Sequence, residues 1–177
     1  MSGDSHDLDT LDVSVHGQTL RIGSAHFGWG SSIQARAPLT VYVSTPHLSV
    51  VGFTGSGRIA IDQLRGPRIT AWLSGSGQMD IGQVQAENLS LAVAGSGHVI
   101  AAGKAAQAKL ESTGSATLDA SKLSIQDATL AAYGAATLNS SVSRSADATA
   151  TGAASINVDG HPACTVHNTG AGTIVCN

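Results

Sequence analysis

Apolar and polar residues alternate with a period of two through most of this chain, and the alternation itself recurs. Ile69, Ala71 and Leu73 share one parity, and Thr70, Trp72 and Ser74 the other. Leu89, Leu91 and Val93 against Ser90, Ala92 and Ala94 repeat the arrangement one unit later. Period two with one apolar face predicts short strands buried on one side. No run holds a 3.6-residue apolar stripe over ten residues, so the pattern does not support amphipathic helices.

Between the alternating runs stands a triplet of small residues. It reads Gly55-Ser56-Gly57, Gly75-Ser76-Gly77 and Gly95-Ser96-Gly97, then Gly114-Ser115-Ala116, Gly134-Ala135-Ala136, Gly152-Ala153-Ala154 and Gly170-Ala171-Gly172. The steps between first glycines are 20, 20, 19, 20, 18 and 18 residues. A fixed period of this size marks a stacked repeat, in which each unit buries its apolar face against the next. Two residues beyond each triplet runs an unbroken aliphatic column: Ile59, Met79, Val99, Leu118, Leu138, Ile156 and Ile174. A meander of hairpins would reverse direction at each unit and would not require one residue class per column. The prediction is therefore all-β: a single-stranded parallel β-helix, or solenoid, with about 18–20 residues per coil.

Gly55, Gly75, Gly95, Gly114, Gly134, Gly152 and Gly170 are never replaced, while the third triplet position becomes alanine in three copies. Only the first position is thus expected to need a positive φ or an approach that no Cβ permits, which makes these seven the structural corners. The middle position must be small but need not be polar. The coils also tighten as their filling shrinks, from Ile69, Ala71 and Leu73 to Ala146, Ala148 and Ala150. Less interior volume permits a shorter perimeter at equal packing density.

Composition narrows the function classes. Aromatics are 3% of the 177 residues and charged residues 12%, a poor filling for a sandwich but adequate for a narrow solenoid. A net charge of −3 argues against nucleic acid or an anionic membrane as partner, since both need clustered Lys and Arg. No apolar run is long enough to span a bilayer. The opening Met1–Asp9 is acidic and polar and does not read as a signal peptide; a mature segment behind a new start codon looks the same. Cys164 and Cys176 fall on the inward parity of the last coil. They form either a terminal disulfide, which implies an oxidising compartment, or two buried thiols. No second Cys or His pair stands at zinc-finger spacing, so no metal is expected.

In chain order, residues 1–10 read as a tail that is either disordered or added in cloning. The domain proper covers 11–177, with an irregular N-terminal part over 11–37 and repeat coils over 38–177. Leu11–Val15 and Thr19–Ile22 alternate around Gly17, which predicts two short strands and a turn. Leu39–Val43 and Leu48–Thr54 lead into the first triplet, and His161-Pro162 interrupts the last full coil.

The run from Leu39 to Gly57, LTVYVSTPHLSVVGFTGSG, followed by reiterated small-Gly-Ser-Gly-x-aliphatic motifs, resembles the GIN domain. That family is also described as an autotransporter adhesin head domain. Gly160-His161-Pro162 and the closing Thr169-Gly170-Ala171-Gly172 are similar to the family's ending. The likeness covers roughly residues 38–177 and is weaker over 11–22. It implies a right-handed parallel β-helix and an exported location: periplasmic, outer-membrane-associated or extracellular. The family has no established catalytic residues to carry over.

Motifs that could carry chemistry fail on spacing. A nucleophile elbow needs Gly-x-Ser-x-Gly, which the triplets do not provide. Gly103-Lys104 lacks the Ser or Thr of a phosphate loop, Ala105 standing there instead. A calcium β-roll needs an acidic ladder, but the relevant column reads Ala60, Asp80, Ile100, Asp119, Asn139, Asn157, Val175, which favours a partial asparagine stack. No catalytic, cofactor-binding or metal-binding residue is assigned, and no enzyme is expected. Trp72, between Gly52 and Ala92 in its column, either packs across them or joins Phe27 and Trp29 in contacting a glycan or an envelope protein. The expectation is a non-enzymatic envelope or extracellular module for adhesion, binding or structure. Its rivals are a scaffold that self-assembles into homo-oligomers through the solenoid ends, and a carbohydrate-active enzyme.

Overall fold

The computed structural model describes residues 11–24 and 40–177 and contains strands but no helix among them. The chain divides into two compact units, residues 1–45 and residues 46–177. In the first, β1 (Leu11–His16) and β2 (Thr19–Ser24) pair antiparallel from Leu11↔Ser24 to His16↔Thr19. Gly17 occupies the first central position of the two-residue turn with φ of 61°, the conformation that mirror-type hairpin turns reserve for glycine.

The second unit is a β-solenoid. Its strands are β3 (Val50–Gly55), β4 (Arg58–Gly75), β5 (Gln78–Gly95), β6 (His98–Gly114), β7 (Thr117–Gly134), β8 (Thr137–Gly152), β9 (Ser155–Asp159), β10 (Ala163–Gly170) and β11 (Thr173–Cys176). Each long strand bends around most of a coil and pairs parallel with its successor, while β10 pairs β8 and β11 pairs β9. Corner meets corner throughout: Gly55↔Gly75, Gly75↔Gly95, Gly95↔Gly114, Gly114↔Gly134, Gly134↔Gly152 and Gly152↔Gly170. Parallel pairing with corner on corner excludes the hairpin meander.

The alternation in the sequence becomes an inside and an outside. In one coil Met79, Ile81, Val84, Leu89, Leu91 and Val93 are at most 3% exposed, and their equivalents form one continuous core along the axis. The first-position glycines hold φ between 85° and 132°. At Gly75 a Cβ would stand 2.6 Å from the carbonyl oxygen of Gly55, which itself accepts the Ser76 N–H at 3.1 Å. The corners are thus a tower of backbone hydrogen bonds, too closely stacked for any side chain.

Third-position glycines such as Gly77 and Gly97 do not have positive φ; a Cβ there is opposed by a side chain of the coil before and, at Gly77, also by the Gly57 carbonyl oxygen at 2.7 Å. A Cβ at Gly77 would meet the Phe53 ring at 2.5 Å and one at Gly97 would meet Leu73 Cδ2 at 2.6 Å. Down the stack that opposing column runs Phe53, Leu73, Val93, Ser112, Ala132, Ala150, and alanine enters the triplet, at Ala116, once valine replaces leucine. From Gly77 to Ala154 the two columns exchange volume at constant packing, whereas Gly172, opposite Ala150, is held to glycine by the Ala154 carbonyl oxygen, 2.4 Å from where a Cβ would stand.

Differences in coil length are taken up around one bend. Register shifts fall between Ile81/Val84, Ile100/Ala102, Ala120/Ser124 and Ile125/Asp127, the first and third dropping residues and the other two restoring one, while the glycine corners and the strands entering them stay aligned. Gly103, with φ of 127°, absorbs the first omission, where a Cβ would lie 2.2 Å from the Val84 carbonyl oxygen.

Candidate functional site

Just beyond this variable bend the coils recede into a shallow trough of about 680 Å³ running along the axis. Two outward columns form its sides. One is Arg68, Asn88, Gln107, Asp127, Ser145, Ala163; the other is Thr70, Ser90, Lys109, Thr129, Asp147, Thr165, and each residue is the register partner of the next. The inward residues between them, Ile69, Leu89, Ala108, Ala128 and Ala146, are at most 6% exposed, so the floor is backbone. That backbone is already hydrogen-bonded to the coils on either side, which leaves side chains as the recognition groups.

Charge in the trough is balanced, with Arg68 and Lys109 against Asp127 and Asp147. Asp127 is the most constrained of these. Arg144 Nε donates to its Oδ1 at 2.7 Å, Arg144 Nη2 bonds its Oδ2, and Ser145 Oγ donates at 2.6 Å. The Arg144 guanidinium, helped by the Ser145 hydroxyl, lowers the Asp127 carboxyl to about 2, and the pairing raises Arg144 in turn. This cluster escaped the sequence reading. Its only signal was that Arg144 lies 17 residues after Asp127, almost one short coil later. Elsewhere Arg58 pairs with Asp80 at 2.6 Å across coils, and Gln78 donates to the same carboxylate at 3.0 Å. Asp119 is lowered by its Ser121 hydrogen bond.

Among the described residues no three His, Cys, Asp or Glu side chains are grouped so as to hold a metal ion. Asn139 and Asn157 are register partners, as expected of a stack, yet no hydrogen bond joins their side chains. Trp72 lies on the outward face of β4, 41% exposed, with its ring over Gly52, where a Cβ would approach Cζ2 to 2.2 Å. Phe27 and Trp29 lie outside the described residues. Cys164 of β10 and Cys176 of β11 are joined by a disulfide across the last coil, with Cα atoms 6.7 Å apart. Beside it Asn168 Nδ2 donates to the Gly172 carbonyl at 2.7 Å.

A parallel solenoid with glycine corners and a side-chain-lined axial trough defines a repeat protein whose surface is a set of regular faces. The chain belongs to the family described as "Putative auto-transporter adhesin, head GIN domain", whose model matches residues 1–162. The match reaches further toward the N-terminus than the motifs that carry the resemblance, and stops at Pro162, before the last strand pair. Two solved structures are similar. One is titled "Putative lipid binding protein", from Parabacteroides distasonis, with a TM-score of 0.72 at 20% identity over 97% of this chain and 80% of that one. The other is titled "a putative adhesin", from Parabacteroides merdae, with a TM-score of 0.71 at 16% identity over 97% and 79%. At such identities they speak for the fold alone. A search of the curated proteins finds no match to this chain. The family and both neighbours are named as adhesin or lipid-binding proteins, not as enzymes.

Proposed function

We propose that this chain is a non-enzymatic binding module displayed on the exported side of a bacterial envelope, with the axial trough as its contact surface. The observation that carries this reading is the trough itself: in-register columns of hydroxyl, amide and balanced charged side chains over a saturated backbone. An elongated ligand laid along the axis meets polar or charged side chains at every coil. Catalysis finds less support there. A general acid needs a carboxyl raised toward neutrality, whereas Asp127 is lowered to about 2 and committed to Arg144. The family's description as an autotransporter adhesin head supports an exported or surface location, and a disulfide suits an oxidising compartment.

The test is to screen the purified chain against a glycan array and lipid vesicles, and to analyse each retained ligand by mass spectrometry after prolonged incubation. Retention of a chemically unchanged ligand is expected. Cleaved or modified ligand would overturn the non-enzymatic reading, and concentration-dependent filaments without any ligand would favour a self-assembling scaffold.

A further inference from the structure

We infer that the trough takes an uncharged glycan chain lying parallel to the solenoid axis, an assignment that rests on the binding-module reading above and names its ligand class. Four observations converge. The floor offers no free ladder of N–H and C=O groups, so a peptide cannot add itself as a strand there. Recognition falls to side chains, and the middle rows supply Asn88, Ser90, Gln107 and Thr129, amides and hydroxyls that both donate and accept. A sugar ring, rich in neutral hydroxyls that donate and accept in turn, matches such groups. With Asp127 paired to Arg144 and Lys109 to Glu111, Arg68 and Asp147 are left to offset each other, so a polyanion finds no cationic track.

The fourth observation is Trp72. It stands two residues beyond Thr70 on the same face of β4, in the coil where the trough begins, with its ring backed by Gly52 and 41% exposed. Seated over Gly52 of the preceding coil, next to the end of the trough, the indole offers an exposed apolar surface on which the C–H face of a sugar can stack, while hydroxyls at the ring edge reach polar neighbours. The trough crosses coils spaced roughly 4.8 Å apart, so a chain contacts successive rows at regular intervals. Affinity is therefore expected to rise with glycan length and to level off once the chain spans the trough.

The experiment uses the whole chain and neutral oligosaccharides of increasing length (gluco-, xylo-, manno- and N-acetylglucosamine series), with polygalacturonate and phosphatidylglycerol vesicles as charged alternatives. Binding is read by calorimetry. We expect at least one neutral series to bind with length-dependent affinity. Asn88→Ala combined with Gln107→Ala should weaken it about tenfold or more, and Trp72→Ala should also weaken it. Thr137→Ala, on a different outward column, should leave it unchanged, and circular dichroism confirms that each variant is folded. Failure of every neutral series to bind, or binding that ignores the trough variants, overturns the inference. Binding only to polygalacturonate or vesicles overturns it too, while leaving the binding-module reading intact. Turnover of a bound glycan would instead overturn that reading.

Discussion

The exchange of volume between the third triplet position and the column facing it can be tested by a double-mutant cycle. At Gly97 an alanine Cβ would lie 2.6 Å from Leu73 Cδ2 and 3.0 Å from the Gly77 carbonyl oxygen. The first contact is with the end of a flexible side chain, the second only slightly tight. Overfilling of this kind costs about 1–3 kcal/mol when the neighbour must leave its rotamer. Leu73 is 1% exposed, so Leu73→Val alone removes one buried methylene, about 1 kcal/mol. If the two effects were independent, the double variant would lose roughly 2–4 kcal/mol. With valine at 73, as at Val93 opposite Ala116, the obstructing Cδ2 is gone, and the double variant should lose only about 1 kcal/mol. The assay is guanidinium unfolding followed by circular dichroism at unchanged m-value. Additivity within about 0.5 kcal/mol would refute the exchange. Gly95→Ala is the contrast. Its Cβ would meet the Gly75 backbone oxygen at 2.6 Å with φ at 104°, and that oxygen already holds Ser96 N–H at 2.9 Å. Strain plus a lost hydrogen bond should cost about 3 kcal/mol, with no rescue from Leu73→Val.

Cys164→Ser with Cys176→Ser should loosen the last coil and leave the others intact. The bridge spans a sequence separation of 12, for which chain entropy gives about 3 kcal/mol. Hydrogen exchange should quicken over 163–176 while β4–β7 stay protected, and uniform quickening would contradict a local role. Ser140 is fully buried with no partner for its hydroxyl, so Ser140→Ala should stabilise by about 1 kcal/mol and raise Tm. A lower Tm would mean that the hydroxyl is satisfied. Asp127 titrates at about 2 instead of the ordinary 3.8. Because the folded value is depressed, its stabilising pair is fully present above 3.8 and is lost as pH falls toward 2. Carbon-detected NMR of Arg144→Ala should move the Asp127 midpoint upward, and an unmoved midpoint would dismiss the ion pair as its cause.

The solenoid was legible because its two strongest constraints are local. Parity along a strand decides which face is buried, and positive φ, joined from Gly75 onward by a backbone tower that admits no Cβ, writes glycine at every corner. Subtler pairings were legible in part. The small third position stood out, but its cause did not, since Phe53 and Gly77 meet only when coils are stacked. The expected asparagine bonding failed for a similar reason: register brings Asn139 beside Asn157, but side-chain direction, which the sequence does not encode, leaves them unbonded. Leu39–Val43 carries a strand-like pattern, yet of its described residues only Thr40 makes a bridge, and the solenoid's first strand is β3, beginning at Val50. The trough was not legible at all, because a concave strip exists only once successive coils are stacked. The seat of Trp72 over Gly52 is one of the two readings its column allowed, because the repeat places small residues on either side of it.

Since the long coils touch chiefly their immediate neighbours, the molecule's length is a modular quantity, open to change by whole turns at permitted places. Excising Ser115–Gly134 would bring Ala136 under Val93 and Ala154 under Ser112, pairings no tighter than those already in use. Excising Ser76–Gly95 would set Ala116 against Leu73, a juxtaposition the stack nowhere contains. Shortening should therefore be tolerated in the alanine-rich half and resisted near the aromatic end, so that the taper of the interior dictates where natural length variants of such a rod can arise.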